Sequence, residues 1–115
     1  MNIHKYGWSH AEAVDLCRAV ENIAPKYGCH VALTGGTLYK DGLRKDVDLL
    51  FYRVRHRPEI DVGGLFTALG YTGFSEFNHM SEWLTKAKVW GGSVDLFFPE
   101  SWEPHDVSGH IIGSY

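Results

Sequence analysis

At 115 residues the chain has the length of one domain, enough for a single hydrophobic core and too little for a catalytic domain joined to a substantial specificity domain. Its composition, 44% hydrophobic, 14% aromatic and 22% charged, excludes global disorder, and a formal charge of -3 with a pI near 6.1 excludes the broad positive field behind non-specific duplex binding. Cys17 and Cys29 are too few and wrongly spaced for a disulfide framework or a zinc site, and no signal-peptide pattern or run of 18 apolar residues occurs; a soluble, cytoplasmic protein with reduced thiols and no membrane partner is expected.

Ser9 with Glu12 three positions on is a capping box, which predicts a helix start. The stripe Ala13, Leu16, Cys17, Val20, Ile23 and Ala24 continues that helix toward Pro25 and Gly28. His30–Thr34 is short, apolar and closed by Gly35-Gly36, the pattern of a buried strand entering a tight turn. Residues 37–45 are polar, contain Asp41-Gly42 and read as a loop or a single helical turn; Asp46–Tyr52 then resumes an extended pattern as a second strand. Arg53-Val54-Arg55-His56-Arg57 is read as a solvated edge or loop, with a grip on a nucleotide or strand end as the alternative.

Pro58 predicts the start of a second helix carrying Ile60, Leu65, Phe66 and Leu69 and ending at Gly70. The aromatic-rich stretch 71–80 is read as extended. Trp83–Trp90 and Ser93–Phe98 flank Gly91-Gly92, a two-residue hairpin signal. Trp83, Trp90, Phe97 and Phe98 are read as core residues of that hairpin, with base stacking as the alternative. Gly63-Gly64 is read as a packing pair. Residues 99–115 show no clear period, and His105, Asp106 and His110 match no helical or strand face that would make them a metal site.

The chemistry concentrates in the second strand. Side chains two apart on a strand share a face, so Asp46 and Asp48 project together while Val47 and Leu49 turn to the core. Two neighbouring carboxylates repel, and a divalent cation with a preference for hard oxygen ligands, magnesium or manganese, relieves the repulsion. Gly35 and Gly36 allow a phosphate to approach the backbone closely, and Thr37 adds a hydroxyl. Arg44 and Lys45, next to the acids, supply positive charge for phosphate oxygens or simply a solvated loop. Two-metal phosphoryl transfer needs a third acid, and Asp95, in the apolar run Val94-Asp95-Leu96-Phe97-Phe98, is the candidate ahead of Glu100 and Asp106.

Leu33-Thr34-Gly35-Gly36, nine residues, then Asp46-Val47-Asp48-Leu49 resembles the motif of the DNA polymerase beta-like nucleotidyltransferases, and a later strand acid, here Asp95, completes it. The resemblance spans about residues 31–98. It implies an α/β or α+β fold, a small mixed sheet flanked by helices, in a minimal single-domain member. It further implies transfer of a nucleoside monophosphate from a nucleoside triphosphate to a hydroxyl, dependent on magnesium or manganese. Asp46 and Asp48 would hold both metals, Asp95 would share the metal nearer the acceptor, and Gly35, Gly36 and Thr37 would hold the triphosphate. The acceptor is left open between a protein side chain, a transfer RNA end and a small molecule such as an aminoglycoside. So short a chain is also expected to need a partner protein or a second copy. The alternative is an inactive module of the same fold that binds a nucleotide or a partner protein; a metal-dependent phosphohydrolase ranks behind both.

Overall fold

The computed structural model describes residues 7–35 and 43–102. Helix α1, His10–Glu21, starts where the capping box places it: Ser9 Oγ accepts the Glu12 N–H at 3.1 Å, and Glu12 Oε1 accepts the Ser9 N–H at 2.9 Å. Its apolar stripe buries Ala13, Leu16 and Val20. A 3-10 turn, Ala24–Tyr27, follows and is closed by Gly28 in the left-handed region. Strand β1 is Cys29–Thr34 and β2 is Asp46–Arg53.

Helix α2 spans Val62–Tyr71 and begins later than Pro58 suggests. The residue that caps it is Asp61, whose carboxylate accepts the Gly64 N–H at 3.0 Å. Ile60 is therefore buried ahead of the helix rather than on its stripe. Gly70 lies within the last turn, and Thr72 is the C-cap. Gly64 is a packing glycine, since a Cβ there would stand 2.9 Å from the Tyr27 ring.

Strands β3, Ser75–His79, β4, Leu84–Val89, and β5, Gly92–Phe97, complete a five-stranded mixed sheet in the order β1-β2-β5-β4-β3. β2 and β5 run parallel at its centre; the other neighbours are antiparallel. The β4–β5 turn is Trp90-Gly91, one residue earlier than the glycine pair suggests, and Gly92 already pairs with Val89. Both turn residues have positive φ, 55° and 83°, as a tight hairpin matching the strand twist requires. Trp90 takes this conformation with its ring packed against buried Trp8, centroids 6.3 Å apart.

Alternation along the strands separates the two faces. Val47, Leu49, Phe51, Val94 and Leu96 join Leu16, Val20, Leu65 and Leu69 from the helices in one buried cluster. Phe51 stacks on Phe98 at 4.6 Å, and Phe66 of α2 meets Phe98 edge-on. Each such side chain fully buried contributes about 1.5–3 kcal/mol. A helical turn, Pro99–Trp102, ends the described chain, with the Glu100 carboxylate accepting the Arg53 N–H. The Arg53 guanidinium donates to the Arg57 and Pro58 carbonyls, so this arginine braces its own loop, at the opposite end of β2 from Asp46. No helix among the described residues is long and apolar enough to cross a membrane.

Candidate functional site

The site occupies the sheet face opposite the helices. Asp46 and Asp48 lie on that face of β2, and the parallel register sets Asp48 beside Asp95 and Asp46 beside Ser93 on β5. Adjacent strands are about 4.8 Å apart, so all three carboxylates share one small area. Glu100 is at the far end of β2, held by its backbone hydrogen bond, and Asp95 is the acid that the fold brings to the pair. Asp106, with His105 and His110, lies outside the described residues, as do Gly36, Thr37 and the loop through Gly42.

Gly35 is packed against the acids. It sits at φ +78°, and a Cβ there would stand 2.0 Å from Asp48 Oδ2. Two separate reasons thus demand glycine at this position, a left-handed backbone and a carboxylate in contact with it. Thr34 pairs with Asp48 from the β1 side.

The electrostatics follow from this crowding. The Asp48 carboxyl is raised above its ordinary value, first by burial and then by the charges of Asp95 and Asp46, with Lys86 and Arg44 acting in the opposite sense. Lys86 is paired with Asp95 across the β4–β5 ladder, and its Nζ donates to Asp95 Oδ1 at 2.8 Å. That hydrogen bond holds the Lys86 ammonium above its usual range. Lys88, two residues on, donates to Ser93 Oγ at 2.8 Å. Among the described residues no group of three acids, histidines or cysteines converges as a ready-made metal cage; the three aspartates are neighbours, and one is engaged by a lysine.

Arg44 is held by a strap that sequence reading did not anticipate. Trp8 and Arg44 exchange backbone hydrogen bonds of 2.7 and 2.8 Å, and the fully buried Trp8 indole donates to the Ser93 carbonyl at 2.9 Å. Gly7, at φ +131°, is required there because a Cβ would meet the Arg44 carbonyl at 2.5 Å. Lys45 is exposed and, with Asp46, Asn78, Lys86, Lys88 and Asp95, lines a polar cleft of about 350 Å³. Lys86 and Lys88 also escaped the sequence reading. Their alternation with buried Ala87 and Val89 puts them on the acidic face, but a turn at Gly91-Gly92 would have set Lys88, not Lys86, against Asp95.

The four hairpin aromatics divide between the faces. Phe98 is core and Trp90 is half-buried against Trp8, whereas Trp83 is 40% exposed and lies with Phe97 on the face of the acids. The core reading therefore fails for Trp83 and for Phe97. The cysteines are unpaired, Cys29 buried and Cys17 half-buried; burial, reinforced by Glu21, pushes the Cys29 thiol up to about 12.

No protein-family model matches the chain, and no curated protein matches it in sequence. Among solved structures, a cytoplasmic RNA terminal U-transferase is similar, with a TM-score of 0.63 and 14% identity over 79% of this chain. The fold is nucleotidyltransferase-like. The match covers 28% of the transferase chain, so this core corresponds to less than a third of that protein. The mixed sheet flanked by helices is thus the architecture that the glycine and aspartate motif implied, reached by a comparison of backbones rather than of residues.

Proposed function

We propose that the chain is a nucleotidyltransferase that moves a nucleoside monophosphate from a nucleoside triphosphate to a hydroxyl acceptor, with Asp46, Asp48 and Asp95 holding divalent metal. The observation that carries this reading is the register of β2 and β5, which sets Asp95 beside Asp48 with Gly35 packed under the same carboxylate. The donor set fits magnesium or manganese, being all carboxylate oxygen, and the burial and repulsion that raise Asp48 are both costs that a bound cation offsets. Bound there, the metal would neutralise the triphosphate and lower the barrier to proton loss from the acceptor hydroxyl.

The residues of the chain supply alignment. Asp46 and Asp48 fix the donor end, and the Gly35 turn lets phosphate approach the backbone, with Arg44 and Lys45 adding charge on the same side. Asp95, freed from the Lys86 ammonium, would help hold the metal nearer the acceptor and take up the proton of the acceptor hydroxyl. The acceptor oxygen then bonds to the α-phosphorus and pyrophosphate leaves, with no covalent enzyme intermediate. The likeness to an RNA terminal U-transferase makes UTP and an RNA end the first pair to test, ahead of a protein or small-molecule acceptor. A partner protein or a second copy would complete the site. Nucleoside triphosphates and two free thiols suit a cytoplasmic setting.

The second reading, a module that binds a nucleotide or partner without turnover, is favoured by one observation: the Lys86–Asp95 ion pair already satisfies the third acid. The test is magnesium-dependent labelling of a cell lysate with each α-labelled ribonucleoside triphosphate, comparing the intact chain with an Asp46→Asn, Asp48→Asn variant. Label that requires both aspartates supports transfer and identifies the acceptor as protein or RNA. Nucleotide binding without label, unchanged in the double variant, supports the module.

A further inference from the structure

Two recesses flank the three aspartates, and they differ in chemistry. The lysine-lined cleft lies toward the N-terminal ends of β2 and β5 and includes Asp46 and Asp95. Toward the C-terminal ends of the same strands lies a slot of about 400 Å³ that includes Asp48 and is walled by Thr34, Gly35, Leu50, Trp83, Phe97 and Pro99. Its wall is apolar and partly flat. Leu50 and Phe97 are register partners on β2 and β5, and the Trp83 ring lies nearly parallel to Phe97, 18° apart in plane with centroids at 6.0 Å.

Trp83 is out of keeping with the rest of this face. The other end of the face carries Asp46, Asp95, Lys86 and Lys88, whereas Trp83, backed by Phe97, leaves 40% of a large apolar surface open to water. No backbone constraint explains the residue type, because its hydrogen bonds, its carbonyl accepting the Phe98 N–H and its N–H donating to Ser81 Oγ, use main-chain atoms alone. An aromatic wall that ends at a carboxylate suits a ligand with a flat unsaturated ring at one end and, a short linker away, an anion bridged to Asp48 by metal. A nucleotide has that shape and polarity.

We propose that the Trp83–Phe97 wall is the subsite for the base of the donor nucleotide, which stacks on the open side of Trp83 while its phosphates reach the aspartates at Asp48. The proposal rests on the nucleotidyltransferase reading above and assigns the ends of the site: base in the apolar slot, and the lysine-lined cleft free for phosphate-bearing groups and the acceptor. Stacking is tolerant of base identity, so the wall supplies affinity for any of the four bases rather than choice among them.

The test measures Kd with the full chain in magnesium for two probes, a non-hydrolysable α,β-methylene ATP and inorganic tripolyphosphate, in the intact protein and in Trp83→Ala and Trp83→Phe variants. Loss of a stacking partner weakens the nucleotide about tenfold or more in Trp83→Ala. Trp83→Phe recovers most of that loss, and tripolyphosphate binds all three proteins alike. An unchanged nucleotide Kd in Trp83→Ala, with tripolyphosphate still bound, overturns the base subsite and leaves the transferase reading standing. Equal loss of both probes in both variants also overturns it, since the effect would then not belong to the base. If the intact chain binds neither probe, the transferase reading falls and takes the subsite with it.

Discussion

The two faces of the central strands are one residue out of phase and opposite in character. On β2 and β5, Val47, Leu49, Val94 and Leu96 are fully buried under the helices, while Asp46, Asp48, Ser93 and Asp95 alternate with them on the uncovered face. The covered face gains free energy from burial; the other face gathers like charges that repel. A sheet face selected for stability alone would not carry three neighbouring carboxylates, and the contrast separates residues that hold the fold from residues placed to hold a ligand.

The largest expected effect tests the uncovered face. Asp48→Asn reduces nucleotidyl transfer by at least about 10²–10³-fold, the scale for losing an electrostatic contact made in the transition state, as measured by incorporation of α-labelled nucleotide. Its stability moves the other way. The Asp48 carboxyl is raised, so its ionisation opposes folding: protonated, below about pH 4, it does no harm, and the cost grows as pH rises through its raised value. Asp48→Asn is therefore expected to melt above the intact chain at pH 7, with the gap closing as the pH falls toward 4, by calorimetry. A fall at pH 7 would break the contrast between the faces.

Leu96→Ala, on the covered face, removes a fully buried side chain and costs about 2–5 kcal/mol in denaturant unfolding. Gly35→Ala joins the two effects. It places a methyl against Asp48 in a left-handed backbone, costs about 1–3 kcal/mol, and lowers metal affinity as well, readable by manganese titration with electron paramagnetic resonance. Smaller still is Ser9→Ala, which removes half of the capping box and costs about 1 kcal/mol without touching the site. Finally, Lys86→Met frees Asp95 from its ammonium partner and should tighten manganese binding several-fold; weaker binding would mean that Lys86 positions Asp95 rather than competes for it.

Much of the fold was legible because its signals are local. The capping box joins two groups three residues apart, and the alternation of β2 declares its faces without reference to any other strand. The late start of α2 was missed because Pro58 is a permissive signal, whereas the Asp61 side chain satisfies a free backbone donor. The hairpin turn was misplaced by one residue because Trp90, a residue type that seldom takes a positive φ, takes one here while packed against Trp8, far away in sequence. The glycine–aspartate pair was legible as a motif, but the reason for Gly35, the nearness of Asp48 Oδ2, was not.

The sequence by itself determined which face the residues of β2 take, where α1 begins, and that Asp46 and Asp48 stand side by side, because each depends on backbone geometry over two to four residues. Which strand lies next to which was decided by tertiary packing. It chose Asp95 over Glu100, put Lys86 rather than Lys88 against Asp95, clamped Arg44 with Trp8, and turned Trp83 to the side of the acids. Alternation assigns a side chain to a face, but its neighbours on that face come from strands distant in the chain, whose register is set when the apolar faces close on the helices.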